Sequence, residues 1–288
     1  MNRINRRGFM RQTAGAAAAV ALGKSAIGQE STAKLTGTTI RALGKTGISC
    51  SLLGMGTGMK AGGKQSALTR KGRDAFLSLV AHAYERGVRY FDMADSYGAH
   101  PYLKESMKNG PVERDKVMLL TKTGAKDPVL IRADLERFRK ELDTDYVDVV
   151  LMHCMTDPAW PEKLRPCMDA MEEAKQKGII RAHGVSCHSL GALKSAADSD
   201  WVDILLARIN PFGVKMDAPA EQVVPVIRKA HEAGKGILGM KIAGEGQIVD
   251  KLAQSIAFAL KLGTVDAMPI GFLEPTEVDQ AFAHIEAA

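Results

Sequence analysis

The chain has 288 residues, 45% of them hydrophobic and 25% charged, with 28 glycines, 11 prolines and 4 cysteines. That make-up suits a globular protein with one sizeable core and excludes a disordered, collagen-like or disulfide-scaffold chain. The formal charge of +6 rests largely on Arg3, Arg6, Arg7, Arg11 and Lys24, in an N-terminal segment without acidic residues, so the remainder carries +1 and gives no electrostatic footprint for nucleic acid.

Residues 1–28 have the layout of a signal peptide: a basic start, an Ala-rich stretch from Thr13 to Leu22, and a small-residue site at Ala26-Ile27-Gly28. The stretch is too short and too rich in Gly and Ala for a membrane span, so no stable membrane anchor is expected. Within it, Asn5-Arg6-Arg7-Gly8-Phe9-Met10 resembles the twin-arginine export signal. The resemblance implies the twin-arginine export machinery as a partner, folding in the cytoplasm and a periplasmic or otherwise exported destination. An ordinary Sec signal and an amphipathic helix are the alternatives.

From Gly37 to Ala288 short apolar runs alternate with helical patterns, as in a parallel sheet with crossover helices. A hairpin is expected first, from Thr38–Leu43 and Ile48–Ser51. Strands then follow at Leu52–Thr57, Val88–Ala94, Val117–Thr123, Tyr146–His153, Ile180–Ser186, Val202–Asn210, Gly236–Ile242 and Val265–Gly271. Between the first two, Phe76, Leu79, Val80, Ala83 and Tyr84 fall on one helical face over 70–86, and Gly87 stops it. Pro161 and Gly178 bracket another helix. Successive strand ends are 24 to 35 residues apart, one βα unit each, which makes the expected fold a (β/α)8 TIM barrel in a single domain. A Rossmann sheet lacks its G-x-G-x-x-G turn here. Cys50, Cys154, Cys167 and Cys187 form no regular framework and are expected as small buried residues.

In such a barrel the chemistry lies at the C-terminal ends of the strands. Asp92, Lys122 and His153 close the second, third and fourth strand runs, and Tyr97 follows Asp92 in the loop. A carboxylate, an ammonium, an imidazole and a phenol together describe a proton donor, in which Lys122 is expected to lower the phenol pKa from its reference of about 10. Asp92 would neutralise and orient the ammonium, and His153 would hydrogen-bond the substrate oxygen or the phenol.

The run Arg89-Tyr90-Phe91-Asp92-Met93-Ala94-Asp95-Ser96-Tyr97-Gly98 resembles the aldo-keto reductase signature around its catalytic Asp and Tyr. Arg41–Ile48 resembles that family's N-terminal hairpin, Leu142–His153 its fourth strand and Gly184-Val185-Ser186 its fifth. The resemblance implies hydride transfer between NADP(H) or NAD(H) and a carbonyl or alcohol substrate, with Tyr97 as proton donor aided by Lys122, Asp92 and His153. It further implies a cofactor lined by Gly56, Thr57, Ser186 and Gly271, with Cys187 standing where the family has Asn. Leu206 replaces a Gln, and Met240 and Lys241 replace a stacking aromatic.

Two other readings use the same residues. His153, Cys154, His183, Cys187 and His188 offer soft and imidazole ligands for zinc, although strand alternation turns some of them away. A barrel that binds nucleotide without turnover, as a sensor or partner subunit, is the other. The mouth is expected to be open, with Met59, Tyr102 and Trp160 as rim candidates. Leu273 and Ala281 occupy places where NADP-dependent relatives carry a cation and an Asn, and Glu274 would repel a 2′-phosphate, so NAD is expected to be accepted unless Glu274 serves only the start of the last helix.

Overall fold

The computed structural model describes residues 34–288, so the expected signal segment lies outside the described residues. The hairpin is β1 (Ile40–Ala42) and β2 (Ser49–Ser51), paired antiparallel. Eight parallel strands follow in the order β10-β3-β4-β5-β6-β7-β8-β9, and an isolated parallel bridge from Leu238 to Ala267 brings the last edge round to the first. They are β3 (Leu53–Gly56), β4 (Tyr90–Asp92), β5 (Met118–Thr123), β6 (Val147–Met155), β7 (Ile180–Cys187), β8 (Ile204–Arg208), β9 (Gly236–Met240) and β10 (Met268–Gly271). This nearly closed sheet is the (β/α)8 barrel that the strand spacing predicts.

The α-helices surround it: α1 (Ala67–Arg70), α2 (Arg73–Glu85), α3 (His100–Asn109), α4 (Pro128–Leu142), α5 (Trp160–Lys163), α6 (Arg165–Gln176), α7 (Leu190–Asp198), α8 (Ala220–Glu232), α9 (Leu252–Lys261) and α10 (Pro275–Ala287). Their boundaries follow local chemistry. Asp127 caps α4 by accepting from the N–H groups of Val129 (2.8 Å) and Leu130 (3.1 Å), and Pro128 has no N–H to leave unpaired there. Buried Phe76, Leu79, Val80, Ala83 and Tyr84 are the inward face of α2. The segment bracketed by Pro161 and Gly178 is two helices, α5 and α6, broken at Leu164.

Two apolar layers result from the two-residue period of the strands. Tyr90, Met118, Leu120, Val149, Leu151, Ala182, Ile204, Leu206 and Leu238 fill the barrel, and the hairpin residues Leu43, Ile48 and Cys50 close its floor. Phe91, Leu119, Val150, Met152, Val185, Cys187 and Leu205 face the helices instead. Glycine is required where strands and rings crowd: a Cβ on Gly54 would meet the Tyr90 ring at 2.3 Å. Two expected rim residues belong to this packing. Tyr102 stacks on Phe76 with ring centroids 4.7 Å apart, and buried Trp160 donates its indole N–H to the Ala192 carbonyl at 3.3 Å.

Candidate active site

At the upper end of the barrel the inward row of each strand finishes on Gly56, Asp92, Lys122, His153, Ser186, Arg208, Met240 and Gly271. Lys122 is 1% exposed, and its ammonium donates to both Asp92 carboxylate oxygens at 2.8 and 2.9 Å and to the Met93 carbonyl at 2.7 Å. Those three bonds use all three of its N–H donors. Burial lowers the Lys122 pKa, and Asp92 opposes that shift. The Lys122 nitrogen lies 5.0 Å from the centroid of the Tyr97 ring, so it acts on the phenol through its field rather than by a hydrogen bond. His153 meets the same ring edge-on, with centroids 5.8 Å apart.

The phenol differs from the sequence expectation. Burial raises the Tyr97 pKa well above its ordinary value, reinforced by Asp92, Cys154 and Glu245. The cation that was to lower it is already engaged by Asp92. His153 moves the other way, down to about 3, because its burial and the charge of Lys122 disfavour the imidazolium. It is therefore a neutral hydrogen-bonding group at ordinary pH.

The β6–β8 side of the mouth joins Cys154, Ser186 and His188 to Arg208 and Asp217, which the sequence reading missed. Between Met152 and Met155 the β6 register shifts, and Cys154 takes a left-handed conformation with φ 60°. The shift exposes Cys154, whose N–H donates to the Ser186 hydroxyl at 2.9 Å and whose sulfur lies 3.6 Å from His188 Nε2. Arg208 donates to His188 Nδ1 and, at 3.0 Å, to Asp217. Its signal in the sequence was a charged residue two positions beyond inward-facing Leu206.

Several expected site residues are elsewhere. Cys187 is fully buried in the helix-facing layer, because Ser186 takes the inward position and its neighbour must point out. It does not line the mouth. His183, from the zinc reading, also lies outside the mouth: it stacks on Trp201 at 4.1 Å and bonds Glu172 at 2.9 Å. Thr57 is buried and donates to the Asp92 carbonyl at 2.9 Å, tying β3 to β4. Of the proposed zinc ligands only His153, Cys154 and His188 converge, with ligand atoms within 4.8 Å of one another.

Across the mouth, Gly56, Gly58, Met59, Asp92, Tyr97, Met240, Lys241, Gly246 and Gly271 line a cleft of about 580 Å³. A second cleft of about 910 Å³ shares Met59, Ala243, Gly246, Ile270 and Gly271 with the first and extends to Asp250, Glu277, Gln280 and His284. Together they form an elongated trough lined in part by Gly56, Gly58, Gly246 and Gly271. A Cβ on Gly271 would stand 3.4 Å from Met59 Cβ and fill part of it. Glu274 is at the N-cap of α10, in a capping box with Glu277, and pairs with Lys71. It serves the helix start, the role weighed against repulsion of a phosphate.

Residues 52–259 match the aldo/keto reductase family. The chain belongs to that family. It is 28% identical over 195 residues to methylglyoxal reductase DkgA of Escherichia coli O157:H7, covering 63% of this chain and 67% of that protein. It is 23% identical over 229 residues to L-galactose dehydrogenase of Arabidopsis thaliana, covering 75% and 69%. An aldo-keto reductase of Bacillus halodurans, solved in its holo form, superposes with a TM-score of 0.72 at 18% identity, covering 87% of this chain and 92% of that one.

As an aldo/keto reductase the protein is an NAD(P)-dependent oxidoreductase, and the residues of the trough would suit such a nucleotide. The glycine lining of the trough, shown by the space a Cβ on Gly271 would fill, suits close approach of a pyrophosphate, with Lys241 at its edge. Leu206 is inside the barrel core, and Met240 borders the cleft. Among the described residues no helix is long and apolar enough to cross a membrane.

Proposed function

We propose that this aldo/keto reductase reduces a carbonyl compound with Tyr97 as the general acid, supported by the ammonium of Lys122 clamped by Asp92 beside the Tyr97 ring. NAD(P)H supplies the hydride when bound. Tyr97 gives its proton to the carbonyl oxygen as that oxygen becomes an alkoxide. A phenol of raised pKa is still a far stronger acid than an alcohol, so the transfer remains downhill, and the tyrosine keeps its proton until a strong base forms beside it. Neutral His153 donates a hydrogen bond to the same oxygen and fixes which face of the carbonyl is presented. Lys122 supplies positive charge near the developing negative charge, and Asp92 holds it in place.

At the adenosine end the trough is bordered by Asp250 and Glu277 and, among its lining residues, by no Lys or Arg. A ribose hydroxyl can donate to a carboxylate, whereas a 2′-phosphate would be repelled, so the reading includes acceptance of NADH. Titration with both reduced nucleotides, followed by turnover on a panel of aldehydes and ketones, tests the proposal. Oxidation of NADH or NADPH coupled to alcohol formation is the expected result. Tight nucleotide binding without turnover on any carbonyl would instead make the barrel a nucleotide-binding subunit. For export, Arg6 and Arg7 support a twin-arginine signal, and their replacement by Lys is expected to leave folded protein in the cytoplasm.

A further inference from the structure

The His153, Cys154 and His188 cluster has the spacing of a metal site and the electrostatics of an anion site. Tetrahedral zinc with legs of about 2.3 Å to sulfur and about 2.0 Å to nitrogen would set those atoms about 3.5 Å apart, close to the Cys154–His188 separation. The hydrogen bonds give the cluster its polarity. A guanidinium can only donate, so the bond from Arg208 makes His188 Nδ1 an acceptor. The neutral ring then carries its one proton on Nε2. That N–H faces the Cys154 sulfur at 3.6 Å. A chain of donors therefore runs from Arg208 through His188 to the exposed thiol.

The charges around this chain have the same sense. Lys122, Lys126, Lys241 and Arg208 all act on Cys154. Asp92 neutralises Lys122, Asp217 neutralises Arg208 and Glu245 neutralises Lys241 at 3.2 Å. Lys126 has no carboxylate partner among the described residues; its ammonium donates to the His153 carbonyl at 3.2 Å and lies 3.8 Å from Met155 sulfur. It follows β5, whereas the nucleotide trough is bordered by β3, β9 and β10, so this charge stands on the substrate side of the mouth.

We infer that Lys126 and the Cys154–His188–Arg208 chain form a subsite for a carboxylate on the substrate, which makes the substrate class an oxo acid. The inference rests on the carbonyl-reductase reading and deepens it. One unpaired positive charge matches a monoanionic carboxylate better than a phosphate dianion, and the Lys126 bond to the His153 backbone places the subsite beside the imidazole that receives the carbonyl. A substrate a few carbons long reaches both.

The test compares 4-oxobutanoate with butanal, which has the same chain length and no charge, in the wild type, Lys126→Met and Lys126→Arg. The wild type should show a KM about tenfold lower for the acid at low salt, as for one charge-assisted hydrogen bond. Lys126→Met should abolish that preference, Lys126→Arg should restore part of it, and kcat for the acid should change little. Equal KM values for the two aldehydes, or a stronger preference for glyceraldehyde 3-phosphate, would overturn the carboxylate subsite while leaving the reductase reading intact. If neither aldehyde is reduced, the reductase reading is decided by the wider carbonyl panel, and calorimetric titration with 4-hydroxybutanoate decides the subsite: binding lost in Lys126→Met upholds it, and no binding by the wild type overturns it. Stoichiometric zinc retained by the purified protein and lost in Cys154→Ser would also overturn it.

Discussion

The two sides of the barrel mouth are built differently. On β4, β5 and β6, Asp92, Lys122 and His153 form a corner in which every Lys122 donor is bonded and the neighbouring turn carries Tyr97. On β7, β8 and β9 the inward row ends on Ser186, Arg208 and Met240, with apolar Leu206 beneath, and a Cys–His–Arg chain lies across it. The first side has its geometry locked by buried charge pairing, which suits one fixed chemical step. The second has polar groups that face outward from the barrel core, which suits discrimination among ligands. The proton chemistry is thus confined to β4, β5 and β6, whereas the Cys–His–Arg chain runs from Cys154 on β6 across to Arg208 on β8.

The strongest way to break the first side is Lys122→Met. It leaves the Asp92 carboxylate, 10% exposed at its side chain, without its partner. Loss of one member of a buried pair costs about 3–5 kcal/mol, so the thermal midpoint should drop and turnover should collapse together. A fully active, equally stable variant, measured by calorimetry and NADPH oxidation, would show that the pair is only structural filler.

A smaller effect is expected one shell further out. Arg137 on α4 bonds Asp95 (2.6 Å), Asp134 (2.7 Å) and Glu141 (2.9 Å); Asp134 accepts from Thr123 at 2.5 Å, and Glu141 bonds His100, which bonds Thr121 at 2.8 Å. The turn carrying Tyr97 and the strand carrying Lys122 are thereby fixed to the same helix. Arg137→Met should lower kcat about tenfold through misplacement of the phenol, with KM little changed and partial rescue by Arg137→Lys. A loss confined to stability, with kcat unchanged, would remove Arg137 from the positioning network.

The effect on acid stability is spread over several pH units and is small at any one pH near neutrality. His153 and His188 have folded pKa values of about 3, below the unfolded value of about 6.5. Above pH 6.5 both states are neutral and the contribution is complete. As pH falls from 6.5 toward 3 the unfolded chain takes up protons first and stability is lost, at up to about 1.4 kcal/mol per pH unit for each ring. His188→Asn should flatten this slope in urea melts between pH 6.5 and 4, and an unchanged slope would contradict the burial argument.

The barrel was legible because its strand ends recur at the spacing of one βα unit, and Asp92, Lys122 and His153 because each interrupts an apolar run at an inward position. What escaped depended on contacts far apart in the chain. Arg208 fell inside the expected strand Val202–Asn210 without being singled out, and its bonds to His188 and Asp217 show its place in the mouth. The bulge at Cys154 is a one-residue register shift that hydrophobic period alone does not encode. Val88–Ala94 continues the apolar pattern past the strand, which spans only Tyr90–Asp92, because Val88, Met93 and Ala94 are buried as well and Met93 still bonds the Leu120 carbonyl at 2.8 Å. The direction of the Tyr97 shift was misread since residue types do not reveal that the phenol is buried and that Lys122 has spent all its donors on Asp92 and Met93.

Single-turnover NAD(P)H oxidation by Tyr97→Phe tests most directly whether Tyr97 is the proton donor. The ring stays, only the hydroxyl goes, and nucleotide binding can be followed separately by fluorescence. Hydride transfer should slow by roughly 10²–10⁴-fold with nucleotide affinity unchanged. In the wild type the alkaline limb of the pH–rate profile should lie well above pH 10, in keeping with the raised phenol pKa. A variant that transfers hydride at the wild-type rate would contradict the assignment of Tyr97 as the acid.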